Sequence, residues 1–283
     1  SWKLPNKAIM ILKDKPSFKG SKMSEIINRA FMYGESVFTT MRMVNGHLCD
    51  WNSHFDRLKK SVDFVYGPFS EGDDWVLLLK NRLLERCAGE NGDRVIRLTI
   101  YREQARGLVR SGIISVNDLK ISLSTSHYDS TRTEGKMLKL RTCATPIRPH
   151  WWPSFLKAGS YLETILAQKM AMQPGDDDVL FLSPHDSVLE SSVANIFVVR
   201  HKKLYTAPTG PNVLDGIMRQ KVIKESEDFF DDFVESETTV EQLFKADAVF
   251  GTNSVRGPFL IDKIDGYEIK YEHNFLTNFE ALR

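Results

Sequence analysis

The sequence has few cysteines, no long apolar run and almost no net charge, and each shortage excludes a class of protein. The three cysteines, Cys49, Cys87 and Cys143, lie far apart and in no metal-binding spacing, which indicates free thiols in a reducing compartment rather than a disulfide framework. No apolar stretch approaches the roughly 20 residues that cross a bilayer. A net charge of +1 provides no field that would attract nucleic acid or an anionic membrane. We therefore expect a cytoplasmic protein with no metal, no nucleic-acid partner and no membrane partner.

The residues that are present, 42% hydrophobic and 27% charged over 283 positions, are typical of a globular protein with a sizeable core. Strand-like and helix-like segments are mixed along the chain without an internal repeat, which predicts an α+β fold. A polar stretch without periodicity at 128–134 predicts a linker. We accordingly expect a small N-terminal domain at 1–127 and a larger C-terminal domain at 135–283.

Local patterns place the individual elements. Asn45-Gly46 predicts a hairpin turn, and Asp50 predicts the N-cap of the helix that follows it. The predicted strands are 8–12, 37–44, 94–101, 119–126, 136–143, 179–182, 195–199, 203–206 and 248–251, and a hairpin is predicted at 259–264 with 267–271. Further helices are predicted at 74–90, 160–172, 216–230 and 239–244, and from about 274 onward.

Three short segments could bind a phosphate. The stretch LDGIMR at 214–219 opens a helix, whose free N–H groups favour anions; the alternative is a helix capped by Asp215, with Gly216 in its first turn. His54 and Arg57, one helical turn apart, could face a phosphate together or lie on a solvated helix face. The turn GTNS at 251–254 could cradle a phosphate or be a plain turn.

Two charged residues stand in apolar surroundings. Lys157 follows Trp151, Trp152 and Phe155, and a lysine desolvated by such neighbours can form a Schiff base with an aldehyde; the alternative is a surface lysine. Glu190, in VLESSVANIF, needs a cationic or N–H partner if it is buried; the alternative is a residue in a turn between two strands.

Taken together and in order, these segments resemble the fold-type-IV pyridoxal-phosphate enzymes, which include branched-chain and D-amino acid aminotransferases and 4-amino-4-deoxychorismate lyases. The matching segments are YGESVFTTMRMVNG at 33–46, HFDRL at 54–58, FLKAGSYLETIL at 155–166, VLESSVANIF at 188–197, YTAP at 205–208, LDGIMR at 214–219 and GTNSVRGP at 251–258. The resemblance implies a two-domain, D-amino acid aminotransferase-like fold of the α+β class. Pyridoxal 5'-phosphate would lie between the domains, in a homodimer whose partner loop helps to close the site.

The resemblance also implies roles for individual residues. Lys157 would bind the cofactor aldehyde and move the proton at the substrate carbon, and Glu190 would pair with the pyridinium nitrogen. The phosphate would be held by Arg57, the backbone at Ile217 and Met218, and Thr252 with Asn253. Leu214 would lie against the ring, and Asn195 and Gly216 would complete the cofactor site. Thr40 or Thr39 would assist proton transfer, and the substrate, a small amine, would meet Phe38, Arg106, Tyr161 and Arg256.

Within the family, the run Phe38-Thr39-Thr40 and the helix opening 216–219 look most like the lyase, because the aminotransferases more often carry an acidic residue near Thr39. Glu35-Ser36, where the family usually has Asp-Gly, is a departure. The first hypothesis is a lyase that forms 4-aminobenzoate, a folate precursor, and pyruvate from 4-amino-4-deoxychorismate. The alternatives are an aminotransferase acting on branched-chain or D-amino acids and a cofactor-binding protein without turnover.

Overall fold

The computed structural model describes residues 28–67, 81, 85, 92–103, 107, 118–130, 135–144 and 150–271. The predicted strand at 8–12, most of the predicted helix at 74–90, the last predicted helix and Arg106 lie outside the described residues. No helix within the described ranges is long and apolar enough to cross a membrane.

The N-terminal elements form a four-stranded antiparallel sheet with the order β2-β1-β3-β4. The Asn45-Gly46 turn is confirmed: both residues have positive φ, as a two-residue hairpin requires. The predicted strands at 37–44, 94–101 and 119–126 are confirmed within two residues, as is the start of the predicted helix after Asp50. The elements are α1 (Arg29–Tyr33), β1 (Ser36–Val44), β2 (His47–Leu48), α2 (Trp51–Tyr66), β3 (Arg94–Arg102) and β4 (Leu119–His127).

Helix α2 covers one face of this sheet. Its apolar residues Phe55, Leu58 and Val62 join a core with Met41 and Ile96 from the strands, as their helical spacing predicts. The predicted N-cap position is confirmed, but the side-chain hydrogen bond expected of it is not. Asp50 does precede the helix, but it has a φ of 49° and its side chain makes no capping hydrogen bond, so packing rather than capping fixes where α2 begins.

The C-terminal elements form a mixed sheet with the order β10-β9-β8-β11-β12-β5-β6-β7, with β13 on β12 and a β7–β8 contact. Its strands β8 and β11 supply the stacked rings of Phe197 and Phe250 at the core. The strands are β5 (Leu138–Ala144), β6 (Asp178–Leu182), β7 (Val188–Ser191), β8 (Asn195–Arg200), β9 (Lys203–Thr206), β10 (Asp232–Glu235), β11 (Ala248–Asn253), β12 (Gly257–Ile264) and β13 (Tyr267–Glu268). The helices are α3 (Leu162–Ala171), α4 (Ile217–Glu225) and α5 (Val240–Phe244).

Two alternatives that the sequence left open in this part are excluded, and one prediction is corrected. Helix α4 begins at Ile217 with Gly216 as its N-cap, because the side chain of Asp215 is engaged by Gln220 and does not reach the helix backbone. Glu190 lies within strand β7 and not in a turn. The predicted helix 216–230 ends at Glu225 and continues as one 3-10 turn, after which strand β10 follows unpredicted.

The segment before α3 joins the two sheets. The amide of Phe38 donates to the carbonyl of Lys157 at 2.9 Å, and the amide of Gly159 donates to the carbonyl of Ser36 at 2.8 Å. Residues 157–159 therefore run antiparallel to β1 and bring Lys157 beside the N-terminal sheet. The boundary at 128–134 stays a prediction.

Candidate active site

The amine of Lys157 lies among aromatic rings. In the antiparallel pairing with β1, Lys157 stands directly opposite Phe38, so both side chains project from the same face. Its Nζ donates to the Tyr161 hydroxyl at 3.1 Å and lies 4.9 Å from the centre of the Phe38 ring. The lysine is half-buried and fixed, so the surface-lysine alternative does not describe it.

The rings around this amine are not the ones that the sequence suggested. Trp152 and Phe155 pack against the N-terminal core beneath α2, and Trp151 is mainly exposed. Phe38 and Tyr161 take their place, with ring centres 5.6 Å apart. The partial desolvation of Lys157 therefore comes from β1 and the start of α3.

Alternation along β1 separates the two threonines. Phe38 and Thr40 project from the face that carries Lys157, whereas Thr39 projects toward α2 and is fully buried. Thr40 pairs in register with Arg97 of β3, and the Arg97 guanidinium lies 3.6 Å from the centre of the Phe38 ring. A hydroxyl and a cation thus accompany the lysine on one face.

Sequence reasoning missed Arg97. Arg97 is exposed, yet desolvation by its neighbours lowers its pKa, and the nearby Tyr161 phenol acts in the opposite direction. The alternation of Ile96, Leu98 and Ile100 places Arg97 opposite the core face. The partner of Arg97 depends on strand register, which the sequence did not reveal.

Glu190 is held by fixed donors. Its Oε2 accepts from the Leu214 amide at 2.9 Å and from Asn195 Nδ2 at 3.2 Å. Asn195 Nδ2 also donates to the Leu214 carbonyl at 2.8 Å. The segment that leads into α4 therefore fixes the orientation of the carboxylate. A carboxylate that pairs with a single pyridinium nitrogen needs such a fixed orientation.

The N-terminus of α4 is open to an anion. Its N-cap, Gly216, has no side chain that could cap the first turn, and the first N–H groups of a helix lack an intrahelical partner. A Cβ at Gly216 would lie 2.2 Å from Asn195 Oδ1, which shows how closely the backbone approaches Asn195. The capped-helix alternative is thereby excluded.

Arg57 reaches the same place from α2. Its Nη1 donates to the carbonyl of Asp215, the residue before the N-cap, at 3.4 Å. Arg57 and His54 are 8% and 1% exposed, so the solvated-face alternative is wrong for both. Burial lowers the pKa of Arg57 to about 10, with Asp215, Tyr161 and Glu190 acting in the opposite direction.

Thr252 and Asn253 end strand β11 nearby. Thr252 pairs in register with Asn195; it is 1% exposed, and its Oγ1 has no hydrogen-bond partner among the residues that the structure describes. Asn253 Oδ1 accepts from the amides of Val255 and Arg256, so its side chain stabilises the turn. A phosphate could therefore bind Thr252 through its hydroxyl.

These features fit pyridoxal phosphate. A buried guanidinium, an uncapped helix N-terminus with Ile217 and Met218 in its first turn, and an unpartnered buried hydroxyl match the needs of a phosphate dianion. Glu190 beside Leu214 suits a protonated ring nitrogen, and Lys157 suits the aldehyde. The substrate role of Arg256 stays a prediction: its guanidinium donates to the Lys136 carbonyl and lies over the Phe259 ring.

The Glu35-Ser36 departure is accommodated at the start of β1. Arg29 Nε donates to Glu35 Oε2 at 2.7 Å, and both side chains are largely buried. Ser36 packs against Gly159, where a Cβ would lie 2.0 Å from Ser36 Oγ. The departure therefore adds an internal ion pair and a tight contact next to the Lys157 segment.

The chain is similar in sequence to a known protein family and to several of its members. The model of a family described as amino-transferase class IV matches residues 36–264. A D-alanine aminotransferase of Listeria monocytogenes is 26% identical over 251 residues, which cover 87% of this chain and 83% of the relative. An aminodeoxychorismate lyase of Bacillus subtilis is 26% identical over 258 residues, which cover 86% and 82%.

Solved structures agree with the sequence relatives. A putative 4-amino-4-deoxychorismate lyase from Legionella pneumophila has a TM-score of 0.75 and 26% identity, and the match covers 93% of this chain and 95% of the other. A hypothetical aminotransferase from Mycobacterium tuberculosis in a PLP-bound form has a TM-score of 0.75 at 18% identity and covers 93% of both chains. The second likeness concerns the fold alone.

Proposed function

Because this chain belongs to the class IV aminotransferases, a fold-type-IV family of pyridoxal-phosphate-dependent enzymes, we propose that it is a lyase that converts 4-amino-4-deoxychorismate to 4-aminobenzoate and pyruvate. The observation that carries the proposal is the grouping of Lys157, Thr40 and Arg97 around Phe38 on one face. The named lyases among the relatives support it.

The reaction needs one base and no second substrate. When bound, pyridoxal phosphate supplies an aldehyde for the substrate amine and a ring that delocalises electrons released at the neighbouring carbon. Lys157 takes the proton from that carbon, and the Tyr161 hydroxyl holds its Nζ in place. Loss of the enolpyruvyl group leaves the aromatic ring of 4-aminobenzoate, which makes the elimination strongly favourable.

Thr40 and Arg97 serve the departing group in this proposal. The substrate carries two carboxylates, and Arg97 offers a guanidinium that can bind one of them in a bidentate manner. Thr40, its register partner, offers a hydroxyl for proton transfer to the enolpyruvyl group. Both the Arg97 guanidinium and the Lys157 amine lie against the Phe38 ring, at 3.6 Å and 4.9 Å from its centre, so the two cations can act on one bound substrate.

An aminotransferase acting on branched-chain or D-amino acids is the second candidate. The D-alanine aminotransferase relative is as similar as the lyase relative, at 26% identity. The same Lys157 would then return the proton to a different carbon, and a 2-oxo acid would be needed to complete the cycle. The buried threonine at position 39 and the hydroxyl of Thr40 favour the lyase through their resemblance to lyase sequences.

A product assay separates the two candidates. The holoenzyme is incubated with 4-amino-4-deoxychorismate without any 2-oxo acid, and 4-aminobenzoate and pyruvate are measured. We expect equal amounts of both products. If no 4-aminobenzoate forms while a D-amino acid or branched-chain amino acid plus 2-oxoglutarate yields glutamate, the lyase proposal is wrong. If neither reaction occurs although the cofactor is bound, the protein is a binding protein without turnover.

The proposal includes a cytoplasmic homodimer of two-domain chains divided at 128–134. Support for the dimer comes from α3, which has no buried residue. Contiguous apolar surface of this kind marks association sites. The exposed apolar side chains of the helix are Leu162, Ile165, Leu166 and Met170. Cys49 and Cys143 are free, which fits a reducing compartment.

A further inference from the structure

Thr39 connects His54 to Arg57 inside the protein. Its Oγ1 lies 2.7 Å from His54 Nδ1 and accepts from Arg57 Nη2 at 3.4 Å. Thr39 is 0% exposed, so water does not compete for these contacts. The three side chains come from β1 and from successive turns of α2, and this group is called the Thr39 relay below.

The direction of one hydrogen bond follows from chemistry: a guanidinium can only donate, so the Thr39 oxygen accepts from Arg57. The direction of the other depends on the imidazole tautomer, and we assign the Thr39 proton to His54 Nδ1. Burial, followed by the charges of Arg57 and Lys157, lowers the pKa of His54 to about 3. A neutral imidazole that accepts at Nδ1 carries its proton on Nε2.

The charge of Arg57 is offset only in part in this arrangement, by the nearby charges of Asp215 and Glu190. Within the described part of the chain its hydrogen bonds go to a hydroxyl and to a carbonyl, and no carboxylate forms an ion pair with it. An acidic residue at position 39 would neutralise the guanidinium, whereas a threonine fixes its direction without cancelling its charge. Such a cation attracts a phosphate dianion more strongly than a paired one would.

We propose that Thr39 and His54 are positioning residues that aim the Arg57 guanidinium at the cofactor phosphate, with the Thr39 hydroxyl as the bridge. The relay acts on the phosphate end and through Arg57 alone. It concerns binding of the cofactor and therefore stands whether the enzyme is a lyase or an aminotransferase.

The test compares two ligands that differ only at the phosphate. Dissociation constants for pyridoxal phosphate and for pyridoxal are measured by fluorescence quenching on the full-length protein freed of cofactor. Thr39→Val keeps the shape of the side chain but loses the hydroxyl. We expect this variant to bind pyridoxal phosphate about tenfold more weakly, the scale of one lost hydrogen bond. Its dissociation constant for pyridoxal should equal that of the wild type.

Conservative variants provide the rescue. Thr39→Ser keeps the hydroxyl and should bind pyridoxal phosphate like the wild type. His54→Asn places an amide oxygen where Nδ1 stands and should retain most of the affinity, whereas His54→Gln places its amide near the Nε2 position and should lose affinity as Thr39→Val does. Circular dichroism confirms that each variant is folded before binding is measured.

A double-mutant cycle with Arg57→Ala tests whether the relay acts through the guanidinium. We expect Thr39→Val to add no further loss of pyridoxal phosphate affinity once Arg57 is absent. The proposal is overturned if Thr39→Val binds pyridoxal phosphate like the wild type. It is equally overturned if Thr39→Val weakens both ligands alike or acts additively with Arg57→Ala, because the effect would then be general to the structure. Failure of the lyase assay changes none of these constants.

Discussion

His54 should make the stability of the protein depend on pH in a way that one substitution removes. In the folded chain burial and neighbouring cations lower the pKa of His54 from 6.5 to about 3, so the imidazole stays neutral. In the unfolded chain the same group binds a proton below about pH 6.5. The stability contributed by this neutral histidine is thus fully present above pH 6.5 and is lost as the pH falls toward 3.

The size of the effect follows from the unfolded state. Between pH 7 and pH 5 the unfolded histidine becomes almost fully protonated while the folded one does not, which lowers the free energy of unfolding by about 2 kcal/mol. His54 is 1% exposed, so solvent screening does not reduce this figure. Substituting asparagine removes the titrating group and preserves an acceptor for Thr39.

Urea unfolding of the cofactor-free protein at pH 7 and pH 5 measures this contribution. The protein concentration is held fixed because subunit association would shift the midpoint. Between pH 7 and pH 5 the free energy of unfolding of the wild type should fall by about 2 kcal/mol more than that of His54→Asn. His47→Asn, on the exposed hairpin, should retain the pH dependence of the wild type. If the free energies of unfolding of the wild type and His54→Asn differ by the same amount at pH 7 and pH 5, His54 is not a buried neutral imidazole.

Three further perturbations test other parts of the account. Arg97→Gln should lower kcat/KM for a dicarboxylate substrate roughly 10- to 100-fold by removing a charge-assisted hydrogen bond, while a spectroscopic titration shows unchanged cofactor affinity. Gly216→Ala would place a Cβ 2.2 Å from Asn195 Oδ1 and should weaken cofactor binding. Gly210→Ala, whose Cβ would have no atom of the described residues within 4 Å, should not. Equal cofactor affinities of the two variants would contradict a role for the close approach at α4 in cofactor binding. Leu166→Glu should shift the molar mass measured by light scattering from dimer to monomer, and an unchanged mass would place the interface elsewhere.

Most of the strands and helices were accessible from the sequence because they depend on local patterns, although α1, β7 and β10 were not predicted. The alternation in β1, the Asn45-Gly46 turn and the apolar stripe of α2 each reflect a short-range physical preference. The Thr239 capping box at the start of α5 is of the same kind. Beyond such local signals, the family resemblance supplied the candidate site residues.

Contacts that depend on register or burial could not be read from the sequence. Arg97 meets Phe38 only because β1 and β3 pair in one particular register. His54 and Arg57 look like residues of a solvated helix face, yet both are buried. His54 contacts Thr39 of β1, and Arg57 also reaches the segment before α4. Gly216 and not Asp215 is the N-cap of α4, and the Asp215 side chain accepts from Gln220 of the same helix, a local contact that the sequence pattern did not reveal.

All of the proposed chemistry depends on the attachment of pyridoxal phosphate to Lys157. The holoenzyme is treated with borohydride, which fixes a cofactor bound through its aldehyde to a lysine, and the digested peptides are analysed by mass spectrometry. The account predicts one modified peptide, carrying the phosphopyridoxyl group on Lys157, and no such peptide from Lys157→Ala. Modification of another lysine in the wild type, or an intact covalent adduct in Lys157→Ala, would contradict it.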